Sequence, residues 1–152
     1  MLRIVIAAAV AALAVAPPAG ADPDVRAACT ANLEGATTLA ADGATPTLCT
    51  GGQWRPVALP APASDRWVSF DAPLTLHGQA MRNPAVLAGS WTATPLDPTA
   101  RCRVAQQSVI TPGTLSSPVV RQGSPDSPLS IEVEPDAFTV ELGGDCLWVR
   151  RP

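Results

Sequence analysis

An alternation of apolar and polar residues constrains the second half of this chain more than any other feature. From residue 66 onward short runs repeat with a period of two, as in residues 129–134. Successive side chains of a β-strand point to opposite faces, so this period predicts strands with one buried and one solvated face. Proline and glycine turns separate about seven such runs, which predicts an antiparallel β-sandwich over residues 66–152 in a mainly β chain.

Two turn sequences connect the last three runs. Pro135-Asp136 follows the run at residues 129–134, and Gly143-Gly144-Asp145 precedes the run at residues 146–149. Tight turns of these compositions commonly join neighbouring antiparallel strands. We therefore expect the last three strands to form a meander.

The chain has four cysteines, Cys29, Cys49, Cys102 and Cys146, and the closest two are 20 positions apart. Metal-binding cysteines usually come in close pairs, so a metal site is disfavoured and two disulfides are expected. Three pairings are possible. We expect Cys29–Cys49 and Cys102–Cys146, because each pair brackets its own stretch of chain.

Residues 1–21 have the organisation of a cleaved signal peptide. Arg3 is followed by 13 apolar residues, and small residues end the segment at Ala21. A membrane-spanning helix needs about 20 apolar residues, so this run is too short to remain inserted. The sequence predicts cleavage between Ala21 and Asp22, a secreted or cell-envelope location, and no stable membrane insertion afterwards.

Two further segments lie between the signal and the sandwich. In residues 22–56, a turn at Asp42-Gly43 separates two short extended runs, which predicts a hairpin unit bridged by Cys29 and Cys49. Residues 57–65 are rich in proline and alanine, which favours an extended, semi-rigid connector. The predicted organisation is therefore signal, bridged hairpin, connector and sandwich.

The hairpin unit contains, in order, Gly35, the Asp42-Gly43 turn, Cys49 and a Gly-x-Trp sequence that ends at Trp54. This series resembles a motif of bacterial exported and pilus-tip proteins. The resemblance covers residues 29–54. It implies a small disulfide-bridged hairpin capped by the tryptophan, and it implies no chemistry.

The C-terminal half contains Gly89-Ser90-Trp91, then Cys102, Phe138 and a final Cys146-Leu147-Trp148. This pattern resembles that of small exported actinobacterial proteins of unassigned function. In those proteins the Cys-x-Trp strand closes a β-domain. This resemblance supports the fold assignment alone.

The residue types needed for catalysis are sparse. The single histidine, His77, lies in a predicted strand end, and the chain has no Gly-x-Ser-x-Gly sequence. Glu132, Glu134 and Asp136 fit a solvated strand face and its turn. We predict no catalytic residue, no metal and no cofactor. A net charge of −3 without any basic run also excludes nucleic acid as a partner.

The tryptophans are the remaining candidates for a site. In a chain with no tyrosine and two phenylalanines, four tryptophans are expected to build much of the core. An exposed ring would be a platform for a sugar or a protein, so Trp54, Trp67 and Trp91 are candidate binding residues.

The leading functional hypothesis is a non-catalytic binding or interaction module that recognises a protein or glycan of the cell envelope. The oligomeric state stays open. One alternative is a small secreted hydrolase that uses acidic residues. A second is an accessory subunit of an envelope assembly, which predicts a large apolar surface patch.

Overall fold

The computed structural model describes residues 27–152. The predicted signal peptide and its cleavage site lie outside these residues. One 3-10 turn, Ala31–Leu33, precedes the strands. The strands are β1 (Thr37–Leu39), β2 (Pro46–Thr50), β3 (Gln53–Pro56), β4 (Arg66–Ser69), β5 (Leu74–His77), β6 (Gly89–Pro95), β7 (Arg103–Thr111), β8 (Thr114–Leu115), β9 (Val119–Gln122), β10 (Leu129–Val133), β11 (Ala137–Gly143) and β12 (Cys146–Arg150).

The strands form two sheets packed as a sandwich. The first sheet has seven strands in the order β10-β6-β12-β4-β1-β2-β3. The second has five, in the order β5-β11-β7-β8, with β9 also paired to β7. Neighbouring strands are antiparallel except β1 and β4, which pair in parallel at Thr37 and Trp67. The predicted mainly β sandwich is confirmed.

All seven alternating runs of the sequence form strands, namely β4, β5, β6, β7, β10, β11 and β12. The two short strands β8 and β9 were not predicted. They lie in residues 114–122, where all but one residue is exposed. Alternation is absent there because β8 and β9 lie at the edge of the second sheet, where neither face has to be buried.

The predicted meander of the last three strands is wrong. β10 pairs with β6 in the first sheet, β11 pairs with β5 and β7 in the second, and β12 returns to the first between β6 and β4. The turns at Pro135-Asp136 and Gly143-Gly144-Asp145 therefore cross between the sheets. Alternation indicates which face of a strand is buried. A turn that stays within one sheet and a turn that crosses to the other sheet are both compatible with the same alternation.

The main core lies between the two sheets. Trp91 and Trp148 are its largest fully buried side chains. Leucine and valine side chains of β5 and β11 pack against them from the second sheet. The indole N–H of Trp148 donates to the Ser69 hydroxyl at 2.8 Å, so the one polar atom of this ring is satisfied inside the core.

A second, smaller core covers the outer face of the first sheet. Leu33 and Ala36, from the segment that contains the 3-10 turn, pack with Trp54 of β3 and Val68 of β4. The Trp54 indole N–H donates to the Ala27 carbonyl at 2.7 Å. β4 therefore contributes to a core on each face, because Trp67 points inward and Val68 points outward.

Both predicted disulfides are confirmed, Cys29–Cys49 and Cys102–Cys146. The first ties the segment before β1 to β2 on the outer face. The second joins Cys102, just before β7, to the start of β12, and so links the two sheets. Two bridges in one domain are typical of an oxidising, extracytoplasmic compartment.

The bridged hairpin continues the first sheet. β1, β2 and β3 extend this sheet beyond β4 through the parallel pairing of β1 with β4. The division of the chain at residues 57–65 stays a prediction, but the strands on either side of that segment belong to one sheet.

Candidate functional site

A groove of about 970 Å³ lies on the inner side of the first sheet. Its floor consists of the inward side chains of β1 and β2, such as Leu39 and Leu48. One wall is the proline-rich segment from Val57 to Asp65, and the other is β5 with the loop that follows it. We call this cavity the connector groove. Its volume is in the upper part of the range for small-ligand sites.

The groove exists because the two sheets differ in width. The second sheet ends at β5, and the core that it shares with the first sheet contains buried side chains of β10, β6, β12 and β4. The inner faces of β1 and β2 therefore continue beyond this core. The partly buried Leu39 packs against the main core, and Trp67 lines the groove from β4. The apolar surface of the groove is therefore an uncovered extension of the main core.

β5 presents its edge to the groove. Three consecutive residues, Thr75, Leu76 and His77, line it, although their side chains alternate between the two faces of the sheet. Among the described strands β5 pairs with β11 alone, and the Gly78 N–H donates to the Phe138 carbonyl on that side. By the antiparallel alternation, the backbone groups of Thr75 and His77 point away from β11, toward the groove.

The loop after β5 closes one end of the groove. The His77 carbonyl accepts hydrogen bonds from the N–H groups of Ala85 and Val86, at 2.9 and 3.1 Å. The Ala85 carbonyl in turn accepts from Ser64 and from the Trp67 indole N–H, at 3.1 and 3.2 Å. These bonds hold the loop, the connector and β4 together.

Asp65 and Arg82, two charged residues that line the groove, differ in their ion pairing. Asp65 forms an ion pair with Arg150 at 3.5 Å, between the Oδ1 and Nη1 atoms. The guanidinium of Arg82, on the loop after β5, makes no hydrogen bond or ion pair with any residue in the described range. Arg82 therefore gives this end of the groove one cationic group that has no ion-pair partner among residues 27–152.

Ser64, Asp65 and His77 all line the groove, and these are the residue types of a serine hydrolase. The Ser64 hydroxyl donates to the Arg66 carbonyl at 2.9 Å and accepts from the Thr37 hydroxyl at 3.0 Å. Asp65 is engaged by Arg150. Within residues 27–152 none of the three side chains hydrogen-bonds another, so they do not form a catalytic relay.

The acidic residues considered for glycoside hydrolysis lie elsewhere. Glu132 and Glu134 belong to or follow β10, the edge strand farthest from β1 and β2 in the first sheet. Glu132 accepts a hydrogen bond from the Ser90 hydroxyl at 2.7 Å, across the β10–β6 pair. Asp65 is the single carboxylate among the described residues that line the connector groove. A pair of carboxylates flanking a substrate is therefore absent there.

The structure buries all four tryptophans, and the most exposed, Trp54, has 7% of its surface accessible. Trp67 and Trp91 donate their indole N–H groups to the carbonyls of Ala85 and Leu87. The binding role considered for Trp54, Trp67 and Trp91 stays a prediction. None of these rings offers an open face for a sugar, and of the three only Trp67 lines the connector groove.

A second apolar surface lies at the edge of the second sheet. Ile110, Leu115, Val119 and Val120 are exposed there, on β7, β8 and β9. All four residues of β9 are exposed. This surface is separate from the connector groove, because β5 and β9 lie on opposite sides of β11 and β7.

In the part of the chain that the structure describes, three carboxyl groups have shifted pKa values, and all three lie in turns or bends. Hydrogen bonds from the Thr45 side chain and from the backbone of Thr45 and Ala44 lower the pKa of Asp42, and those from Thr99 lower the pKa of Asp97. Partial burial, followed by repulsion from Asp71 and Asp97, raises the pKa of Asp145. None of these groups lines the connector groove, so their pKa shifts bear on the stability of the fold and not on the chemistry of the groove.

One cluster in the described part of the chain has metal-ligating residue types, Cys29, Glu34 and Cys49. Both sulfurs are consumed by the disulfide. The Glu34 carboxylate accepts the Gly51 N–H at 3.2 Å. The cluster is therefore a disulfide next to a turn whose Gly51 N–H is hydrogen-bonded to Glu34.

Residues 27–152 contain no helix with the length and hydropathy that a membrane span requires.

No family model, curated protein or solved structure matches this chain. The resemblances to pilus-tip and actinobacterial exported proteins therefore stay predictions beyond their shared coarse features, the β fold and the bridges.

The sequence did not identify most of the groove. Leu48, Val57 and Arg82 were not singled out, because the cavity arises from the width of one sheet and the path of the connector. The one available signal was the connector itself, which combines prolines with exposed apolar residues such as Leu59.

Proposed function

We propose that this chain is exported, with cleavage between Ala21 and Asp22, and acts outside the cytoplasm as a non-catalytic binding module. The connector groove is its binding site. The observation that carries the proposal is a groove of about 970 Å³ floored by apolar side chains that continue the main core. Ligand sites are usually concave and largely apolar, and they are few in any one protein; the groove has the first two of these properties.

The chemistry of the groove favours a protein over a glycan of the cell envelope as partner. Glycan sites usually present open aromatic faces, whereas the tryptophans of this chain are buried. The groove combines aliphatic side chains with one strand edge, and both features suit a polypeptide. The alternative of a hydrolase that uses acidic residues is weaker, because such chemistry needs two carboxyl groups beside the substrate and Asp65 is the single carboxylate among the described residues of the groove.

A fluorescence titration with anilinonaphthalene sulfonate, a dye for apolar sites, tests the proposal. We expect one saturable site, weakened at least about tenfold by Ala61→Trp, which places an indole in the groove. Ala31→Trp is the matched control, because Ala31 is exposed in the 3-10 turn. Equal dye binding by both variants, or no saturable site, would contradict the proposal.

A turnover assay tests the hydrolase alternative with ester, peptide and glycoside substrates. We expect no turnover above that of Asp65→Asn, because the Asp65 carboxylate is paired with Arg150. Turnover by the unmodified chain that disappears in Asp65→Asn would replace the binding proposal with a catalytic one.

The exposed edge formed by β8 and β9 supports a second candidate function, an accessory subunit of an envelope assembly. Four exposed aliphatic side chains lie on β7, β8 and β9, and the outer edges of β8 and β9 have no strand partner within the described residues. Sedimentation over a range of concentrations would test self-association through it. If the edge is a contact, Val119→Lys shifts the chain toward the monomer.

A further inference from the structure

We propose that the ligand of the connector groove is an extended peptide that adds as a strand to β5, with apolar side chains at alternate positions and an acidic residue near Arg82. This inference rests on the proposed function and specifies its partner. It follows from three properties of the groove: an open strand edge, a floor of aliphatic side chains and one cationic end.

The open edge is the first property. The backbone N–H and C=O groups of Thr75 and the N–H of His77 point away from β11, and β5 has no other strand partner within the described range. Of the strands that end the two sheets, β5 is the one whose residues line the groove. A peptide can hydrogen-bond these groups, as in other cases of strand addition.

The floor is the second property. An extended peptide directs alternate side chains to one side, at the spacing of a strand. The inward residues of β1 and β2, including Leu39, Pro46 and Leu48, provide an apolar surface for those side chains. An alkyl chain would match the floor, but it would remove water from the Thr75 backbone groups without giving them hydrogen bonds.

The cationic end is the third property. Arg82 lies five positions after the last residue of β5 and lines the groove, with no ion-pair partner in residues 27–152. Asp65, the one acidic residue among the described residues of the lining, already pairs with Arg150. A carboxylate on the ligand therefore complements this end. In an antiparallel addition to β5, the N-terminal end of the peptide lies nearest Arg82.

The probe is the capped heptapeptide acetyl-Glu-Leu-Thr-Val-Thr-Leu-Ser-amide, titrated by calorimetry into the purified, disulfide-bonded chain. We expect saturable binding that competes with the dye and slows hydrogen exchange at the Thr75 and His77 amides. Two N-methylated peptides provide the matched controls. One carries methyl groups on the amides of one strand edge, and the other carries them on the opposite edge.

If the peptide adds to β5, N-methylation of one edge abolishes binding and N-methylation of the other leaves it nearly unchanged. The protein is the same in both arms, so misfolding of a variant is no concern. Equal effects of the two peptides would overturn the proposal, as would binding that leaves the Thr75 and His77 amides unprotected.

The charge is tested with Arg82→Gln and with a peptide in which glutamine replaces the glutamate. Arg82→Gln should weaken the glutamate peptide about two- to fivefold and leave the glutamine peptide unaffected. Equal weakening of both peptides would overturn the assignment of Arg82.

Sodium laurate is the last ligand to be tested in the dye competition, and it represents an amphiphile with an alkyl chain. If laurate displaces the dye and the heptapeptide does not bind, the peptide proposal fails while the groove remains a binding site. If neither ligand binds and the dye titration shows no saturable site, the proposed function itself fails.

Discussion

The two halves of the seven-stranded sheet are covered in opposite ways. β6, β12 and β4 bury their inner faces under the second sheet, with Trp91 and Trp148 between the layers. β1 and β2 cover their outer faces with a disulfide-tied segment and leave their inner faces open as the connector groove. We therefore expect the half with the larger core to supply most of the stability, whereas the other half uses a small core to support an exposed apolar surface.

The largest expected effect comes from removing one tryptophan from each half. Trp148 is fully buried between the sheets, so Trp148→Ala should reduce the free energy of unfolding by about 3–5 kcal/mol. Trp54 packs in the smaller outer core, and Trp54→Ala should cost about 2 kcal/mol. Urea unfolding with both bridges oxidised measures the difference. An equal or larger cost at Trp54 would break the comparison.

The disulfides give the next contrast. Removing Cys102–Cys146 by alanine substitution of both residues should cost about 4 kcal/mol, and removing Cys29–Cys49 about 3 kcal/mol, because the enclosed loops differ in length. Limited proteolysis sharpens the test. Loss of Cys29–Cys49 should expose residues 27–36 to cleavage before the sandwich opens. Simultaneous cleavage in both halves would contradict the account.

Two glycines at positive φ test the turns of each half. A Cβ on Gly144, at the bend from β11 to β12, would overlap the Arg101 carbonyl, whereas a Cβ on Gly43, between β1 and β2, would meet nothing. Gly144→Ala should cost roughly 2–4 kcal/mol, from strain and overlap together. Gly43→Ala should cost about 1 kcal/mol, from strain alone. Thermal unfolding of both variants measures the gap, and equal costs would contradict it.

The smallest effects are electrostatic and have opposite signs. Burial and repulsion from Asp71 raise the pKa of Asp145, so its folded form favours the proton and stability falls as the pH rises through this pKa. Asp145→Asn should therefore stabilise the chain at neutral pH by a few tenths of a kcal/mol, and less in high salt. This gain in stability should disappear in acid, where Asp145 is protonated in both the folded and the unfolded chain.

Asp42, in the β1–β2 turn, should behave in the reverse way. Hydrogen bonds from Thr45 lower its pKa, so its contribution to stability is present above the ordinary carboxyl pKa and is lost as the pH falls through the lowered value. Asp42→Asn should destabilise the chain at neutral pH and have little effect in acid. Urea midpoints across the acid range would test both residues, and the same sign at the two sites would contradict the assignments.

The sequence predicted the strands of the sandwich better than their arrangement. Alternation located β10, β11 and β12, because each must bury one face and solvate the other. It did not locate β11 in the second sheet, because a turn such as Pro135-Asp136 can stay within a sheet or cross to another. The parallel pairing of Thr37 with Trp67 has no local signal, because it joins segments separated by the whole connector.

The candidate site was the least predictable part. Trp54, Trp67 and Trp91 were singled out for their ring size, but exposure depends on what packs above each ring, and sequence alone does not reveal that. The groove depends on where the second sheet ends and on the path of Val57 to Asp65. Both are properties of the assembled fold.

The most direct test of the connector groove is the amide spectrum of the isotope-labelled chain during titration with anilinonaphthalene sulfonate. The account predicts that the shifted amides lie around the groove, at Leu48, Val57 and Thr75, with those of β9 unchanged. Shifts concentrated at Val119 and Val120, with the groove amides unchanged, would contradict it.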